Sequence, residues 1–345
     1  MRASRPMSLV ASAALLVALA GCAGSAGSAG AEGSGSSSAA GDAFPVTIEH
    51  AYGETTIESK PERVATVAWA NQEVPLALGV VPVGMAKANY GDEDEDGLLP
   101  WTKERLDELG AKTPVLFDET DSIDFEAVAD TKPDVILAAY SGLSKTDYET
   151  LSKIAPTIAF PKVAWGTTLE QMIEMNSTAM GLKAKGDALV ASLDDQVAKG
   201  VADHPDLAGK TAMFAYFDPS DLSSVGFYTT HDTRPLFLEQ LGMKTPKVVS
   251  DASAKSDEFY TTVSAEDADS FDDVDVIVTY GDAASLKTLQ ADPLIGKIPA
   301  IRDGSVALLT PDTALAAGAN PSPLSLPWGL GKYLDLLDGA ASTVG

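Results

Sequence analysis

Over most of the chain, apolar runs of strand length alternate with stretches whose apolar positions recur every three to four residues. Runs at 63–69, 80–85, 134–139 and 157–160 read as buried strands, and 72–78, 102–109, 124–130 and 146–154 as helices between them. A weaker alternation over 44–58, with Tyr52 and Gly53 at its middle, predicts a hairpin. The rhythm breaks at 168–203. There Leu169, Met172, Ile173, Asn176, Ala179 and Met180 mark one helical face, and Leu189, Leu193, Val197 and Val201 another. Gly181 and Gly186 bracket a weak point, so the pattern predicts a long helical segment kinked there. The rhythm resumes with strands at 211–216, 274–280 and 305–309 and helices at 234–241, 264–269, 285–290 and 327–337. Such alternation predicts parallel sheets covered on both faces. The expected fold is α/β: two Rossmann-like lobes, 44–167 and 204–345, joined by an interdomain helical segment at 168–203. A helical hinge resists bending, so the lobes should move little against each other.

The chain before the first lobe is of a different kind. Arg2 and Arg5 flank an apolar run at 7–20, too short to span a bilayer comfortably but suited to a signal-peptide core. The run ends in Leu-Ala-Gly-Cys, which resembles the bacterial lipobox. That resemblance implies cleavage after residue 21 and a diacylglycerol thioether on Cys22, which anchors the chain outside the cytoplasm on the membrane face. Residues 22–43 are nearly all Gly, Ala and Ser and cannot bury enough apolar surface to offset their ordering entropy; they read as a tether. Cys22 is the only cysteine, so no internal disulfide is available.

Charge removes whole classes of function. Against 24 Lys and Arg stand 50 Asp and Glu, a net charge of −26, and no basic cluster occurs, which argues against a nucleic-acid partner. The acidic run GDEDEDG at 91–97 places Asp92, Asp94, Asp96 and Gly97 as a calcium loop begins. The twelfth position is Lys103, with Glu104 one residue late, so a solvated loop is expected. His50, His204 and His231 lack metal-ligand spacing. No G-x-S-x-G, H-E-x-x-H or P-loop is present, so neither a catalytic centre nor a protein-held metal is expected. A tethered hydrolase would need a nucleophile beside a base.

Ligands of open parallel sheets sit beyond the carboxyl ends of the strands. The residues just past each predicted strand are therefore the candidate lining: Trp69 and Asn71; Asn89, Tyr90 and Trp101; Tyr140 and Ser141; Trp165; Phe227, Tyr228 and Arg234; Tyr280; Asn320 and Trp328. All four tryptophans fall at junctions between elements, as an aromatic-walled pocket for one sizeable ligand requires. In HDTRPLFLEQLG, Asp232 or Thr233 caps a helix and Arg234 lies in its first turn, where a cation costs about 0.3–1 kcal/mol against the dipole. Either an oxygen-rich ligand or one of the many acids favours it.

Taken in order, PERVATV, ALGVVPVGM, PDVIL, DYETLSKIAPT, TRPLFLEQLGM, TVSAEDADSFDDVDVIVTYG, IPAIRDGSVALL and NPSPLSLPW resemble the iron–siderophore substrate-binding lipoproteins of Gram-positive ABC importers. That family includes ferric hydroxamate and vitamin B12 binding proteins. The resemblance implies two lobes bridged by a helix, a ferric siderophore as ligand, no cofactor, an ABC permease as partner and a monomeric receptor. It also implies permease docking through one acid per lobe, at Glu149 and Glu266. Glu149 also suits a capping box with Thr146, and Ser264 one with Asp267. A siderophore supplies all six oxygens to iron, and a tris-catecholate would want several basic side chains; a hydroxamate is expected. Cobalamin or haem is the alternative, with Tyr140 or Tyr260 as haem ligand.

Overall fold

A computed structural model describes residues 43–344. The expected signal peptide, Cys22 and the tether up to residue 42 lie outside the described residues. The hairpin forms as the alternation predicts: β1 (Val46–His50) and β2 (Gly53–Ile57) pair antiparallel with Val46 opposite Ile57, burying Ile48 and Ile57.

The first lobe is built on five parallel strands: β3 (Val64–Thr66), β4 (Gly84–Ala86), β5 (Val115–Phe117), β6 (Val135–Leu137) and β7 (Thr157–Ile158). Their order across the sheet is β5-β4-β3-β6-β7. All three residues of β6 are fully buried, as a strand covered on both faces requires. The second lobe orders β8 (Ala212–Asp218), β9 (Asp221–Tyr228), β10 (Tyr260–Ser264), β11 (Val276–Tyr280) and β12 (Val306–Leu309) as β10-β9-β8-β11-β12. Here β8, β11 and β12 run parallel, but β9 and β10 are antiparallel, which departs from the all-parallel expectation. Only Pro219 and Ser220 separate β8 from β9, too few for the crossover a parallel pair needs. In both lobes the first and fourth strands lie side by side, so each sheet has a topological switch point there.

The segment at 168–203 is not one kinked rod. Leu169–Ala179 and Lys183–Ala202 are separate helices packed against each other. Gly181 takes φ +63° at the reversal, and a Cβ on Gly186 would lie 2.1 Å from Ser177 Oγ, so the two backbones close tightly there. Met172 and Ile173 on the first helix join the core of Val135, Leu137 and Ile158. The second helix, about 30 Å long at 1.5 Å per residue, packs on the final helix Ser325–Ala341. The helical link between lobes is therefore this second helix alone.

Two expected caps also differ. Ser144, not Thr146, starts the helix Lys145–Leu151, and its reciprocal partner is Asp147. Glu149 instead pairs with Lys145 one turn back. Ser264 accepts from the backbone N–H of Glu266, but Asp267 leaves helical geometry (φ −91°, ψ 29°), so no reciprocal box forms.

Candidate functional site

The carboxyl ends of β3 and β6 meet at the first lobe's switch point and present 67–71 beside 138–142. Ala68 and Ala70 take φ of +61° and +62°, a conformation unfavourable to residues with a Cβ, and Trp69 is carried between them. Asn71 clamps this junction. It is fully buried, donates Nδ2 to the carbonyls of Val67 (2.9 Å) and Tyr140 (2.8 Å), and accepts on Oδ1 from Tyr140 N and Asn176 Nδ2 (both 3.1 Å). Ser141 is likewise buried and donates to the Ala138 carbonyl at 2.7 Å. Asn71 and Ser141 thus satisfy backbone groups of the switch point and do not line the cavities described below.

Opposite them stand the strand ends of the second lobe. Tyr216 and Phe217 lie in the last residues of β8, before Asp218, and Tyr280 ends β11, with Arg234 in the first turn of the helix Thr233–Gln240. Asp232 is fully buried and caps that helix by accepting from Arg234 N at 2.9 Å. Its two oxygens also receive Arg234 Nε (2.8 Å) and Nη2 (2.7 Å). The cation at a helix start is thereby matched by an acid two residues earlier. Burial works against the guanidinium charge, yet the Asp232 carboxylate holds its pKa above the ordinary arginine value. The guanidinium lies 3.5 Å from the centre of the Tyr228 ring, and Nη1 is left facing Tyr280 Oη at 3.4 Å.

Between the two sets of strand ends is a cavity of about 620 Å³ walled by Trp69, Asn89, Tyr90, Tyr228, Arg234, Tyr280 and Asn320. Tyr90 meets Tyr280 edge-on at 6.2 Å. Burial pushes Tyr90 and Tyr228 up to about 12, so these phenols stay protonated at neutral pH. A second chamber of about 480 Å³ shares Trp69 and Asn89 with the first and adds Glu119, Gly142 and Trp165. A Cβ on Gly142 would lie 2.2 Å from Trp165 Nε1; the indole rests on bare backbone. A larger groove, about 850 Å³, runs over the second lobe among Lys247, Asp251, Glu258 and Glu266.

Of the candidate lining, Trp69, Asn89, Tyr90, Tyr228, Arg234, Tyr280 and Asn320 share one cavity, Trp165 borders the adjoining chamber, and Phe227 is buried in the second lobe's core. Tyr140 is buried behind them, its hydroxyl accepting from Asn320 Nδ2 at 2.9 Å. Tyr260 pairs across the sheet with Tyr228 and packs on its ring at 5.4 Å, backing the wall. Trp101 and Trp328 are not brought to the cleft. They pack on each other at 5.2 Å, and Trp101 is buried with Nε1 donating 2.7 Å to Glu73 Oε1. Both lie in first turns of helices, where the helix face, not the preceding strand, sets the side chain's direction.

Tyr216, Phe217, Asp312 and Glu119 join the walls without having been expected from the sequence. The first two lie in the last residues of a strand, the same signal that singles out Tyr280; Glu119 carries no sequence signal. The acidic loop's carboxylates take protein partners: Asp92 accepts from Gly97 N at 2.6 Å, Asp96 pairs with Lys103, and Glu93 reaches across to Ala314 N at 3.1 Å. Among the described residues, no three His, Cys, Asp or Glu side chains converge as a metal site.

The periplasmic binding protein family matches residues 64–313. A probable siderophore-binding lipoprotein of Bacillus subtilis is 29% identical over 250 residues, 71% of this chain and 71% of that protein. The ferric enterobactin-binding periplasmic protein of Escherichia coli is 24% identical over 286 residues, 78% of this chain and 85% of that one. Among solved structures, PiaA of Streptococcus pneumoniae in complex with ferrichrome superposes with a TM-score of 0.84 at 44% identity, covering 87% of this chain and 99% of that one. Two switch-point sheets facing one aromatic cleft, and a family match spanning most of the chain, lead to one assignment: the chain belongs to the periplasmic binding protein family.

Proposed function

We propose that this chain is an extracytoplasmic, lipid-anchored receptor that captures a ferric siderophore of the hydroxamate type and delivers it to an ABC importer permease. The observation that carries the ligand class is the charge of the main cavity. Its single arginine is already neutralised by the buried Asp232, and aromatic rings supply much of the remaining wall. A ferric trihydroxamate is neutral at the metal and needs no counter-charge. A ferric tris-catecholate carries three negative charges and would meet no surplus cation here. The likeness to PiaA, solved with ferrichrome, supports the same class.

Iron keeps its six siderophore oxygens, so the protein contributes shape, ring faces and the Arg234 Nη1 donor. Trp69, held out by its strained loop, and the Arg234 guanidinium, seated on the Tyr228 ring, are the principal flat surfaces. Permease docking is assigned to Glu266, exposed beside the second-lobe groove, and to Glu149, exposed and paired with Lys145. Cys22 carries the anchor. Titrating the mature protein with ferric trihydroxamates and ferric tricatecholates, followed by tryptophan quenching, tests the reading. Tighter binding of the hydroxamates is expected; binding of the catecholates alone rejects it.

A further inference from the structure

Glu119 lies just past β5 in the wall of the second chamber, beside Trp69, Asn89 and Trp165. Its Oε2 accepts from the backbone N–H of Ala68 at 2.8 Å, on the strained loop that carries Trp69. Its Oε1 is buried with no hydrogen-bond partner among the described residues. Leaving a buried carboxylate oxygen unmatched is costly, and such a group calls for a partner from outside the chain. The charges facing it do not supply one. Asp121 and Asp147 share the chamber wall and are of like sign. Lys87 also borders the chamber, but its stem lies along Gly97 and its ammonium forms no ion pair within the described residues. The chamber is therefore anionic, and it joins the main cavity, where Asp232 matches Arg234 and Asp312 adds one further carboxylate, at Trp69 and Asn89.

We infer that Glu119 is a specificity-determining residue that reads a protonated amine on the ferric hydroxamate, the chamber taking the amine-bearing arm while the chelate core lies against Trp69, Tyr228 and Arg234. This rests on the hydroxamate reading. A single ammonium offers three N–H donors and the missing positive charge, and it needs no rearrangement of the chelate. Burial pushes the Glu119 carboxyl up to about 7, opposed by the Ala68 N–H. An ammonium beside it favours the ionised form, so amine binding releases a proton from Glu119 and strengthens as pH rises through that value.

The test compares ferrioxamine B, which ends in a free amine, with its N-acetyl derivative, which keeps the same three hydroxamates without the charge. The wild-type protein is expected to prefer the amine by about tenfold or more at pH 7.5, a difference of about 1.4 kcal/mol. The preference should shrink towards unity at pH 5.5. Glu119→Gln should bring it within about twofold. Equal affinities in the wild type, or an undiminished preference in Glu119→Gln, overturn the inference while leaving the hydroxamate reading in place. Binding of neither chelate overturns both. The wild-type pH series reads the preference without any variant, so the outcome does not depend on Glu119→Gln folding.

Discussion

Asp232→Asn strips the charge that balances Arg234 while keeping nearly the same volume. One oxygen remains to cap the helix, but an amide NH₂ then faces a guanidinium NH₂ where a 2.7 Å ion pair stood. Breaking one side of a buried pair costs about 3–5 kcal/mol. Arg234 keeps 14% side-chain exposure and its place on the Tyr228 ring, which puts the loss near the lower end, about 3 kcal/mol. For a chain of this size that is a fall in Tm of roughly 5–10 °C. The functional effect depends on the charge of the ligand. An uncompensated cation about 7 Å from a bound chelate, at an effective dielectric near 20, is worth about 2 kcal/mol per unit of ligand charge. A neutral ferric trihydroxamate should therefore change little in Kd, while a trianionic ferric tricatecholate should gain up to about 6 kcal/mol at low salt, on the order of 10⁴-fold, and less at high salt. Scanning calorimetry and tryptophan-quenching titrations at low and high salt measure both. An unchanged catecholate-to-hydroxamate ratio in a folded Asp232→Asn protein would refute the idea that charge balance at this pair sets the ligand class.

Other expectations come from single contacts. Trp69→Ala removes a ring shared by both chambers and should weaken chelate binding about 10- to 100-fold, with little change in Tm; a loss under threefold in a titration would remove Trp69 from the site. Gly142→Ala puts a methyl group 2.2 Å from Trp165 Nε1, so the indole must move; a cost of about 1–3 kcal/mol in urea unfolding is expected, with a shifted emission maximum. Burial pushes Glu73, which accepts from Ser322, Trp101 and the Leu324 N–H, up to about 7. Its folded pKa thus lies above the unfolded one, so the proton is held more tightly in the native state. That contribution is full below about pH 4.5 and is lost as pH rises through 7, on the order of 3 kcal/mol. Unfolding at pH 5 and pH 8 should show the fall, and Glu73→Gln should flatten it.

Much of this fold is legible in the chain because fully buried strands must be apolar throughout: Val135, Ile136 and Leu137 announce β6 without any partner in view. The strands that escape notice lack that signal. β5 has three residues with Val115 exposed, and β9 begins Asp-Leu-Ser-Ser on a half-exposed stretch paired antiparallel. Gly181 marks where the helical segment breaks, but local sequence does not fix how far the chain turns; the contact of Gly186 with Ser177 does. At the cleft, the strand-end rule picks out Trp69 and Tyr280, which follow or end strands at the two switch points, and Tyr90, which follows the neighbouring β4. Trp101 and Trp328 lie away from the cavity, their orientation set by helix faces, and Asn71 bonds to switch-point backbone and to the Asn176 side chain. Glu119 is invisible to such a rule because its importance lies in an unmatched carboxylate oxygen, and sequence records residues rather than gaps in their bonding.

The central claim, that the cleft grips a preformed chelate and leaves the iron's coordination to the siderophore, is tested most directly by a crystal structure of the mature protein loaded with a ferric trihydroxamate. The account predicts iron within the cavity bounded by Trp69, Tyr228, Arg234 and Tyr280, held by six siderophore oxygens. A side-chain atom in the iron's coordination sphere, or a chelate bound away from that cavity, would contradict it.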